Sequence, residues 1–413
     1  MDTSQRHGVA LRAPGSRALT REQTTALDRV LTHPFWGLII LIGILGATLV
    51  ITYTAALPAA NWLQSTVVFS ISAVLNSLLA PAPTWLRVVI VDGMVAGVGT
   101  VLSFVPILLV FFTVLALLEE SRYLMRASRV TDRYLQWLGL PGKACIPLSM
   151  GFGCNTSAIL GCRILEERRS RLLTMLLVPF VPCTSRMAVI ALLATAFFGG
   201  SAMWITWGLI SINLIVLALI GFLANRIRPR RKLPNTALML PPYQIPEPRA
   251  VGRNIWKNML DFLGKARGLV IFSAIIWTLS YFPTGIIENS YLARFGQALA
   301  PVGSLAGLND WRLIVALLSS LASKENAVAV MGVLFPLAAG DEGISAQVAL
   351  VLSPAGRLAF LVMQMLFIPC ASTLAAMRHE SGSWKLAILE TALMTLVSFI
   401  AGLLVFQIGS RLF

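Results

Sequence analysis

The sequence predicts an all-α polytopic membrane protein built from two inverted repeats that contain interrupted, re-entrant helices. Three observations lead to this fold class: an apolar composition, a duplicated motif inside two long apolar segments, and an uneven distribution of basic residues. Hydrophobic residues make up 57% of the 413 residues and charged residues 12%, and the mean hydropathy is +0.78. Because a soluble globular domain carries about 25% charged residues, this composition predicts several membrane spans.

The duplicated motif is the segment Phe180–Ala188, which returns as Phe367–Ala375 with five of nine positions identical. Each copy contains a proline followed by a cysteine, inside an apolar segment long enough to cross a bilayer. A proline removes the helical hydrogen bond to the carbonyl four residues earlier, which predicts bare carbonyls at Val178 and Met365. In hydrocarbon such a break is tolerated only where it faces protein or a wet cavity. A duplicated, interrupted helix is typical of the central site of a transporter.

Basic residues cluster in three segments, residues 6–29, 122–171 and 226–267. By contrast, residues 58–91 and 282–310 hold one basic residue each. This asymmetry follows the positive-inside rule and predicts that the three basic segments, and with them the N-terminus, lie in the cytoplasm. The net charge of +15 is therefore interpreted as a surface that faces anionic lipid, and nucleic-acid binding is not expected.

Both halves of the chain follow one plan, in which a span is followed by an interrupted hairpin, a proline-broken span and a final span. In the first half, the predicted elements are a first span at 36–57, an external amphipathic helix at 60–79, a span at 101–118, a cytoplasmic amphipathic helix at 121–142, an interrupted hairpin at 144–160, a broken span at 172–198 and a span at 203–223. In the second half, they are a span at 268–281, an interrupted segment at 313–337, a broken span at 358–377 and a last span at 386–406. The predicted domains are a cytoplasmic basic arm (1–30), a first membrane half with repeat 1 (31–225), a cytoplasmic linker (226–266) and a second membrane half with repeat 2 (267–413). Because an odd number of crossings separates equivalent elements, the halves are expected to be inverted relative to each other.

Three cysteines lie at the predicted breaks, where sulfur and unwound backbone oxygen come together. A set of thiolate, carbonyl and carboxylate groups suits a borderline divalent ion such as Fe²⁺ better than Mg²⁺ or Ca²⁺. The predicted metal ligands are Cys154, Asn155, Cys183, Cys370 and Glu325. The predicted pathway residues are Gly151, Gly153, Pro182, Ser185, Lys324, Asn326, Pro369 and Ser372.

Each of these candidates has a structural alternative. Lys324 and Glu325 are two ionisable residues in an apolar segment, which marks either a pathway or an external loop between two short helices. The cysteines can be small apolar residues in helix contacts, and the glycines of the segment 151–153 can serve close helix packing. The duplication favours the pathway interpretation for Cys183 and Cys370.

Other chemistries find little support in the sequence. The five cysteines have no disulfide-framework spacing, and Cys145 and Cys162, which lack a repeat partner, are interpreted as packing residues. The three histidines lie at segment ends, no GxxxxGK[ST] motif occurs, and no nucleophile–base constellation is present. The first apolar run is too long for a signal peptide, so we expect it to remain as a span. The chain is therefore not expected to be an enzyme or to hold a resident cofactor.

Several stretches occur in order over residues 27–408. They are Leu27–Pro34, Asp92-Gly93, Gly97–Leu102, Leu118–Ser121, Gly139–Lys143, Pro147-Leu148, Gly151–Asn155, Cys183–Arg186, Ser323–Glu325, Pro369-Cys370 and Ala375-Ala376. Together they resemble the membrane domain of the FeoB ferrous-iron transporters, and the GFGCN stretch and the two Pro-Cys pairs are the specific parts. That family is described as having two Gate motifs of opposite orientation, which agrees with the repeat.

The resemblance implies uptake of Fe²⁺, as cargo, across a bacterial inner membrane by a multi-pass protein. It also implies that Cys154, Cys183 and Cys370, which match the cysteines of the family's Gate motifs, form the metal path. Members of the family usually carry an N-terminal GTP-binding domain, whereas only a short basic arm precedes the first span here. We therefore expect this chain to lack that domain, which makes a separate cytoplasmic GTP-binding protein a candidate partner, beside membrane lipid and a homo-oligomeric copy.

The sequence departs from the family pattern at three places. Thr156-Ser157 replaces the usual Val-Pro after GFGCN, Met187-Ala188 replaces the usual Leu-Pro after the second cysteine, and Arg122 replaces a glycine. These changes leave room for a different cation. Two other functions stay open: a Gate-fold transporter of a nucleoside-like organic solute, and a non-transporting membrane subunit that docks a soluble GTPase.

Overall fold

The computed structural model describes residues 28–33, 35–81, 83, 87, 90–91, 95–227, 243–244, 246–256, 259–260, 264, 275, 278–279, 282, 289–321, 324, 326–334 and 351–412. Every regular element within these residues is a helix, as the composition predicts. Four apolar helical stretches are long enough to cross a membrane: Trp36–Leu78, Arg168–Ile227, Pro354–Ser381 and Trp384–Arg411. The protein is therefore a helical membrane protein.

The helices of the first half are α1 Trp36–Trp62, α2 Phe69–Leu78, α3 Ala96–Glu120, α4 Tyr123–Trp137, α5 Cys145–Gly151, α6 Asn155–Gly161, α7 Arg168–Leu177, α8 Thr184–Phe198 and α9 Ala202–Ile227. Those of the second half are α10 Tyr291–Ser304, α11 Trp311–Ser319, α12 Asn326–Leu334, α13 Pro354–Leu366, α14 Ala371–Ser381 and α15 Trp384–Leu412. Short 3₁₀ helices cover Gly142–Ala144, Cys162–Ile164, Val178–Phe180 and Gly199–Ser201.

The first span is longer than predicted. Helix α1 does not end at Leu57 but continues through Pro58 to Trp62, and a π-helical turn, Leu63–Val68, joins it directly to α2. The prediction of a first span that ends at residue 57 and a further helix that begins at residue 60 was therefore wrong about this boundary. A proline can stay inside a membrane helix where local π or 3₁₀ geometry satisfies the freed backbone groups.

Helix α4 is amphipathic, as predicted, and packs against α1 and α5. Its one buried arginine, Arg126, has 0% of its side chain exposed and lies 3.0 Å from Asp28 Oδ1. The Arg126 guanidinium also lies 3.7 Å above the centre of the Tyr243 ring. These contacts fix the segment before α1 and the segment around residue 243 against the same helix.

Arg122, which precedes α4, has a left-handed backbone conformation, with φ of 64°. A side chain in this region costs about 1 kcal/mol relative to glycine, which adopts it freely. We therefore expect Arg122→Gly to raise the free energy of unfolding by about 1 kcal/mol, less what is lost when the 3.4 Å bond from Arg122 Nε to Gln244 Oε1 is removed. Thermal unfolding of the purified protein in detergent tests this, and a lower melting temperature would contradict it.

The predicted interruptions occur where glycine and proline indicated them. Residues 152–154 separate α5 from α6, and the 3₁₀ turn Val178–Phe180 and residues 181–183 separate α7 from α8. Residues 320–325 separate α11 from α12, and residues 367–370 separate α13 from α14. The re-entrance of the segment 144–160 and the inverted orientation of the two halves stay predictions.

Several predictions fall outside the described residues. These are the basic arm at 1–26, most of the linker and of the span at 268–281, and the residues Ser323 and Glu325. Among the described residues, the largest apolar cluster joins α8, α9, α11 and α13 and contains Ile190, Leu209, Leu313 and Phe360. Helices from both halves therefore share one core, which also contains Phe367 and Ile368 from the segment between α13 and α14.

Candidate functional site

The site consists of four helix breaks that contact one another. The first break is residues 152–154, the second is 181–183, and the fourth is 367–370; the third lies between α11 and α12, where Ser320, Leu321 and Lys324 are described. Each of these breaks leaves backbone groups outside the regular helical pattern, so those groups need other partners. In this protein many of the partners come from another break.

The first and second breaks are hydrogen bonded directly. Thr184, the first residue of α8, donates its backbone N–H to the Gly153 carbonyl at 3.3 Å and its hydroxyl to the same carbonyl at 2.9 Å. Gly151, the last residue of α5, and Gly153, in the first break, both lie where a side chain has little space. A Cβ on Gly151 would lie 3.1 Å from Val181 Cβ, and one on Gly153 would lie 1.7 Å from the Phe111 ring. Gly151 therefore permits the close approach of the second break, and Gly153 permits that of Phe111 on α3.

The first and fourth breaks meet through hydroxyl groups. Thr156 Oγ1, on α6, lies 3.1 Å from Ser372 Oγ and 3.4 Å from Thr373 Oγ1, both on α14. Cys370 Sγ lies 3.1 Å from each of the same two α14 hydroxyls. Thr156 stands where the resembling family has valine, so a polar contact replaces an apolar one at this position.

The second and fourth breaks are joined by a buried arginine. Arg186, on α8, has 1% of its surface exposed and donates to the Pro179 carbonyl at 3.1 Å and to the Phe367 carbonyl at 3.4 Å. Asn155 Nδ2 contacts the same Pro179 carbonyl at 3.5 Å. One guanidinium thus bonds to a carbonyl directly before the first copy of the duplicated motif and to the first carbonyl of the second copy.

The third and fourth breaks are joined by Lys324, which has 3% of its surface exposed. Its ammonium group donates to the Phe367 carbonyl at 3.1 Å and to the Ile368 carbonyl at 2.5 Å. The backbone N–H of Ala371 also donates to the Leu321 carbonyl at 2.8 Å. Lys324 is therefore inside the protein and does not lie in an external loop, so this part of the alternative interpretation was wrong.

The thiols of Cys154, Cys183 and Cys370 occupy equivalent positions, each at the N-cap of the helix that follows its break. All three are half-buried, whereas Cys145 and Cys162 are fully buried, as expected for packing residues. Cys183 lies within electrostatic range of both Cys154 and Cys370. A helix N-terminus favours an anion, and the thiolate is the form of cysteine that binds metal. Cys183 and Cys370 stand at such N-termini, those of α8 and α14.

The three thiols do not form a finished coordination site. Among the residues that the structure describes, no three histidine, cysteine, aspartate or glutamate side chains are close enough to hold one ion. Glu325, a predicted ligand, lies outside those residues. The ligand roles of Cys154, Asn155, Cys183, Cys370 and Glu325 therefore stay predictions.

The backbone carbonyls at the proline breaks differ from the prediction. The Val178 carbonyl is not bare, because it accepts the Val181 N–H at 2.9 Å in the 3₁₀ turn. The carbonyls of Pro179, Phe367 and Ile368 instead point to cationic side chains. The proline effect was assigned to the wrong carbonyl because the chain turns into a 3₁₀ helix before the break.

The other predicted pathway residues lie at the same four breaks. Pro182 and Pro369 are buried directly before their cysteines, Ser185 is a half-buried residue in the first turn of α8, and Asn326 begins α12 with 7% of its surface exposed. The structure therefore places every described pathway residue at or next to a break, and the pathway roles stay predictions.

Two ionisable residues of this region were not singled out from the sequence. Arg186 links two breaks, as described above. Glu390, on α15, has 0% of its surface exposed and lies within electrostatic range of Arg186. The signal was present in the sequence, because each is a charged residue in the interior of an apolar span.

The fold and the site together define a class of protein, a helical membrane protein whose helix breaks are joined by polar contacts. A family model described as "Gate: Nucleoside recognition" matches residues 101–197 and 268–384, which is half of the chain. The chain belongs to this Gate family. The two matched segments contain all four breaks.

The relatives of this chain are iron transporters by name. The Fe(2+) transporter FeoB of Methanocaldococcus jannaschii is 32% identical over 403 residues, which cover 94% of this chain and 59% of the relative. The Fe(2+) transporter FeoB of Synechocystis sp. is 30% identical over 410 residues, 98% of this chain and 66% of the relative. A Fe(2+) transport protein A/Fe(2+) transporter FeoB fusion protein of Porphyromonas gingivalis is 29% identical over 445 residues, 94% of this chain and 52% of the relative.

These relatives confirm the resemblance to FeoB that the motifs indicated. The chain spans between about half and two thirds of the length of the curated relatives it matches. No solved structure matches this chain.

Proposed function

We propose that this protein transports a divalent metal cation, most specifically Fe²⁺, across the membrane through the point where the four breaks meet. The cation passes the thiols of Cys154, Cys183 and Cys370 and the backbone and hydroxyl oxygens beside them. The observation that carries this proposal is that three cysteines, distant in the sequence, each occupy the N-cap of a helix that follows a break, and that Cys183 interacts electrostatically with the other two.

The chemistry of these groups supports a borderline cation. Thiolate ligands select Fe²⁺, Cu⁺ and Zn²⁺ over Mg²⁺ and Ca²⁺, which prefer oxygen alone. Because the thiols are not gathered into one complete ligand set, each holds an ion incompletely and the ion is passed between them. Conduction needs such incomplete binding, since an ion that is held too strongly does not leave.

The names of the relatives support Fe²⁺ as the cargo. Those named above are described as Fe(2+) transporters, and none is described as an enzyme. The description of the family model mentions nucleosides, but a nucleoside does not account for three cysteines at the breaks. We therefore do not favour an organic solute.

The membrane potential can drive this transport. A divalent cation that enters a cell at about 100 mV, inside negative, gains about 4.6 kcal/mol. Uptake into the cell therefore needs no nucleotide hydrolysis, and a GTP-binding protein would act as a gate. We place the protein in the bacterial inner membrane with its N-terminus in the cytoplasm, on the grounds of the positive-inside pattern.

Partners follow from the same proposal. The basic segments face the cytoplasm and are suited to contact anionic lipid and a separate GTP-binding protein. In one relative, Fe(2+) transport protein A is fused to the transporter, which supports a protein like Fe(2+) transport protein A as a partner here. A homo-oligomer remains open as a further mode of assembly.

The proposal is tested by flux into proteoliposomes. The purified chain is reconstituted without other proteins, an inside-negative potential is applied, and uptake of radiolabelled Fe²⁺ is measured anaerobically beside Mn²⁺, Zn²⁺ and uridine. We expect Fe²⁺ to enter faster than in protein-free liposomes and uridine not to enter. Uridine uptake without metal uptake would contradict the proposal, as would Fe²⁺ uptake no faster than in the protein-free control with and without an added soluble GTP-binding protein.

A further inference from the structure

Glu390 is a buried carboxylate without a hydrogen-bond partner among the described residues. It lies on α15, its surface is 0% exposed, and neither Oε1 nor Oε2 has a partner. A carboxylate buried in this way inside an apolar span is costly, so such residues usually mark an ion path or a partner of opposite charge. The match to the Gate family ends at residue 384, so Glu390 lies beyond the two Gate segments.

The groups around Arg186 share this lack of partners. Arg186 is within electrostatic range of Glu390, Cys183 and Cys370, yet its Nε atom has no hydrogen-bond partner in the described part of the chain. Asn155, which meets Arg186 at the Pro179 carbonyl, leaves its buried Oδ1 atom unpartnered as well. Glu390 and Asn155 therefore each have an oxygen without a hydrogen-bond partner among the described residues, and each belongs to the surroundings of Arg186.

Glu390 and Cys370 lie at different distances from the corner, which is the turn that joins α14 to α15. Glu390 is six residues into α15, about 9 Å from this corner, whereas Cys370 precedes the 11 residues of α14 and is about 16 Å from it. The corner itself carries the ion pair of Arg163 and Glu380, with Arg163 Nε 2.8 Å from Glu380 Oε2. Because α14 and α15 pack against each other, Cys370 and Glu390 lie on neighbouring helices.

We propose that Glu390 is a cation-binding residue that forms an oxygen-based subsite on the path, beside the thiol positions. This proposal rests on the proposed function. Asn155 Oδ1 supplies a second oxygen donor beside the same guanidinium. The subsite takes divalent cations that accept oxygen ligands, including Mn²⁺ and Fe²⁺.

The charge of Arg186 gives Glu390 a second effect. A divalent cation at Cys183 or Cys370 would be repelled by the Arg186 guanidinium, which is fixed beside them by two carbonyls. An ionised Glu390 offsets that positive charge. A cation that leaves the soft thiols for a hard carboxylate is also bound less selectively there, which favours its release.

The subsite is tested by binding of Mn²⁺ to the purified protein in detergent, followed by electron paramagnetic resonance, which distinguishes free from bound Mn²⁺. We expect the wild-type protein to bind Mn²⁺ and Glu390→Gln to weaken this binding by at least about tenfold, since even groups that only orient a ligand change metal affinity by about 10- to 100-fold. Glu166→Gln is the matched control, because the Glu166 side chain is 86% exposed and forms an ion pair with Lys143. We expect this variant to bind Mn²⁺ as the wild-type protein does. Cys183→Ser with Cys370→Ser is expected to retain the Mn²⁺ site.

Two results would overturn the subsite: a wild-type protein that binds no Mn²⁺, or a Glu390→Gln variant that binds it as the wild type does. If Glu390→Gln does not give a monodisperse protein, Glu390→Asp retains the charge but shortens the side chain. That variant is expected to bind Mn²⁺ more weakly than the wild type, and equal affinity would contradict the proposal. Because binding is measured without transport, a failed flux experiment would remove the transport function and leave the Mn²⁺ result to decide the role of Glu390.

Discussion

Replacement of both Cys183 and Cys370 by serine is expected to reduce Fe²⁺ uptake by about tenfold or more while the protein still inserts and purifies normally. Both thiols are half-buried N-caps at the second and fourth breaks, and they lie within electrostatic range of each other. Serine keeps nearly the same volume but replaces a soft sulfur ligand by a weakly acidic hydroxyl, which binds a borderline cation poorly. Uptake of radiolabelled Fe²⁺ into proteoliposomes measures the effect.

The matched control is Cys145→Ser, which exchanges the same atoms at a fully buried packing position in the same half. Its effect on uptake is expected to be small, although burial of a hydroxyl costs some stability. Comparable uptake by the double variant and the wild type would contradict a thiol path, whatever the cargo. Equal losses of Fe²⁺ uptake in the double variant and in Cys145→Ser would show that the loss comes from altered packing and not from the removal of a sulfur ligand.

Replacement of Arg186 by leucine is expected to lower the free energy of unfolding by about 3 kcal/mol. The variant loses two charge-assisted hydrogen bonds, to the Pro179 and Phe367 carbonyls, and leaves the Glu390 carboxylate buried without its electrostatic neighbour. Arg186→Lys keeps the charge but cannot reach two carbonyls with a planar fork, so we expect an intermediate loss. Thermal unfolding in detergent, followed by tryptophan fluorescence, measures both variants.

The control for this prediction is Arg163→Leu. Arg163 also bonds to an acidic side chain, Glu380, and 51% of the Arg163 side chain is exposed against 6% of the Glu380 side chain. Because water already reaches the arginine, we expect Arg163→Leu to cost less stability than Arg186→Leu. The Arg186 variant is therefore expected to unfold at a clearly lower temperature than the Arg163 variant. Similar melting temperatures for the two would show that Arg186 does not hold the second and fourth breaks together.

The positions of the breaks could be predicted from the sequence because they depend on local chemistry. Glycine in the segment 151–153 and proline at 182 and 369 interrupt a helix wherever it packs, and the helices end at these positions. Pro58 shows the limit of this reasoning. The same residue type remains inside α1, which continues to Trp62 and is followed by the π-helical turn Leu63–Val68.

The meeting of the breaks could not be derived from local patterns. The bond from Thr184 to Gly153 joins residues 31 positions apart, and that from Arg186 to Phe367 joins residues 181 apart. Duplication suggested that the two Pro-Cys motifs are equivalent, but equivalence does not say which side chain bridges them. The carbonyl partners were also wrong in detail, since Val178 bonds within its own turn.

Arg186 and Glu390 were missed from the sequence, although both meet a criterion that was applied only to Lys324 and Glu325. An ionisable residue within an apolar span marks a pathway or a partner, and both residues meet this condition. Arg186 was hidden by its place in the duplicated motif, where threonine replaces it in the second copy. Glu390 was not singled out because the last span contains no predicted break.

The coordination shell of bound Fe²⁺ tests the central claim, that the helix breaks present sulfur to the transported ion. X-ray absorption at the iron edge of anaerobic, Fe²⁺-loaded protein distinguishes sulfur from oxygen and nitrogen neighbours. We predict sulfur in the first shell of the wild-type protein and its loss when Cys183 and Cys370 are both replaced by serine. A first shell of oxygen and nitrogen alone in the wild-type protein, with iron bound, would contradict the account.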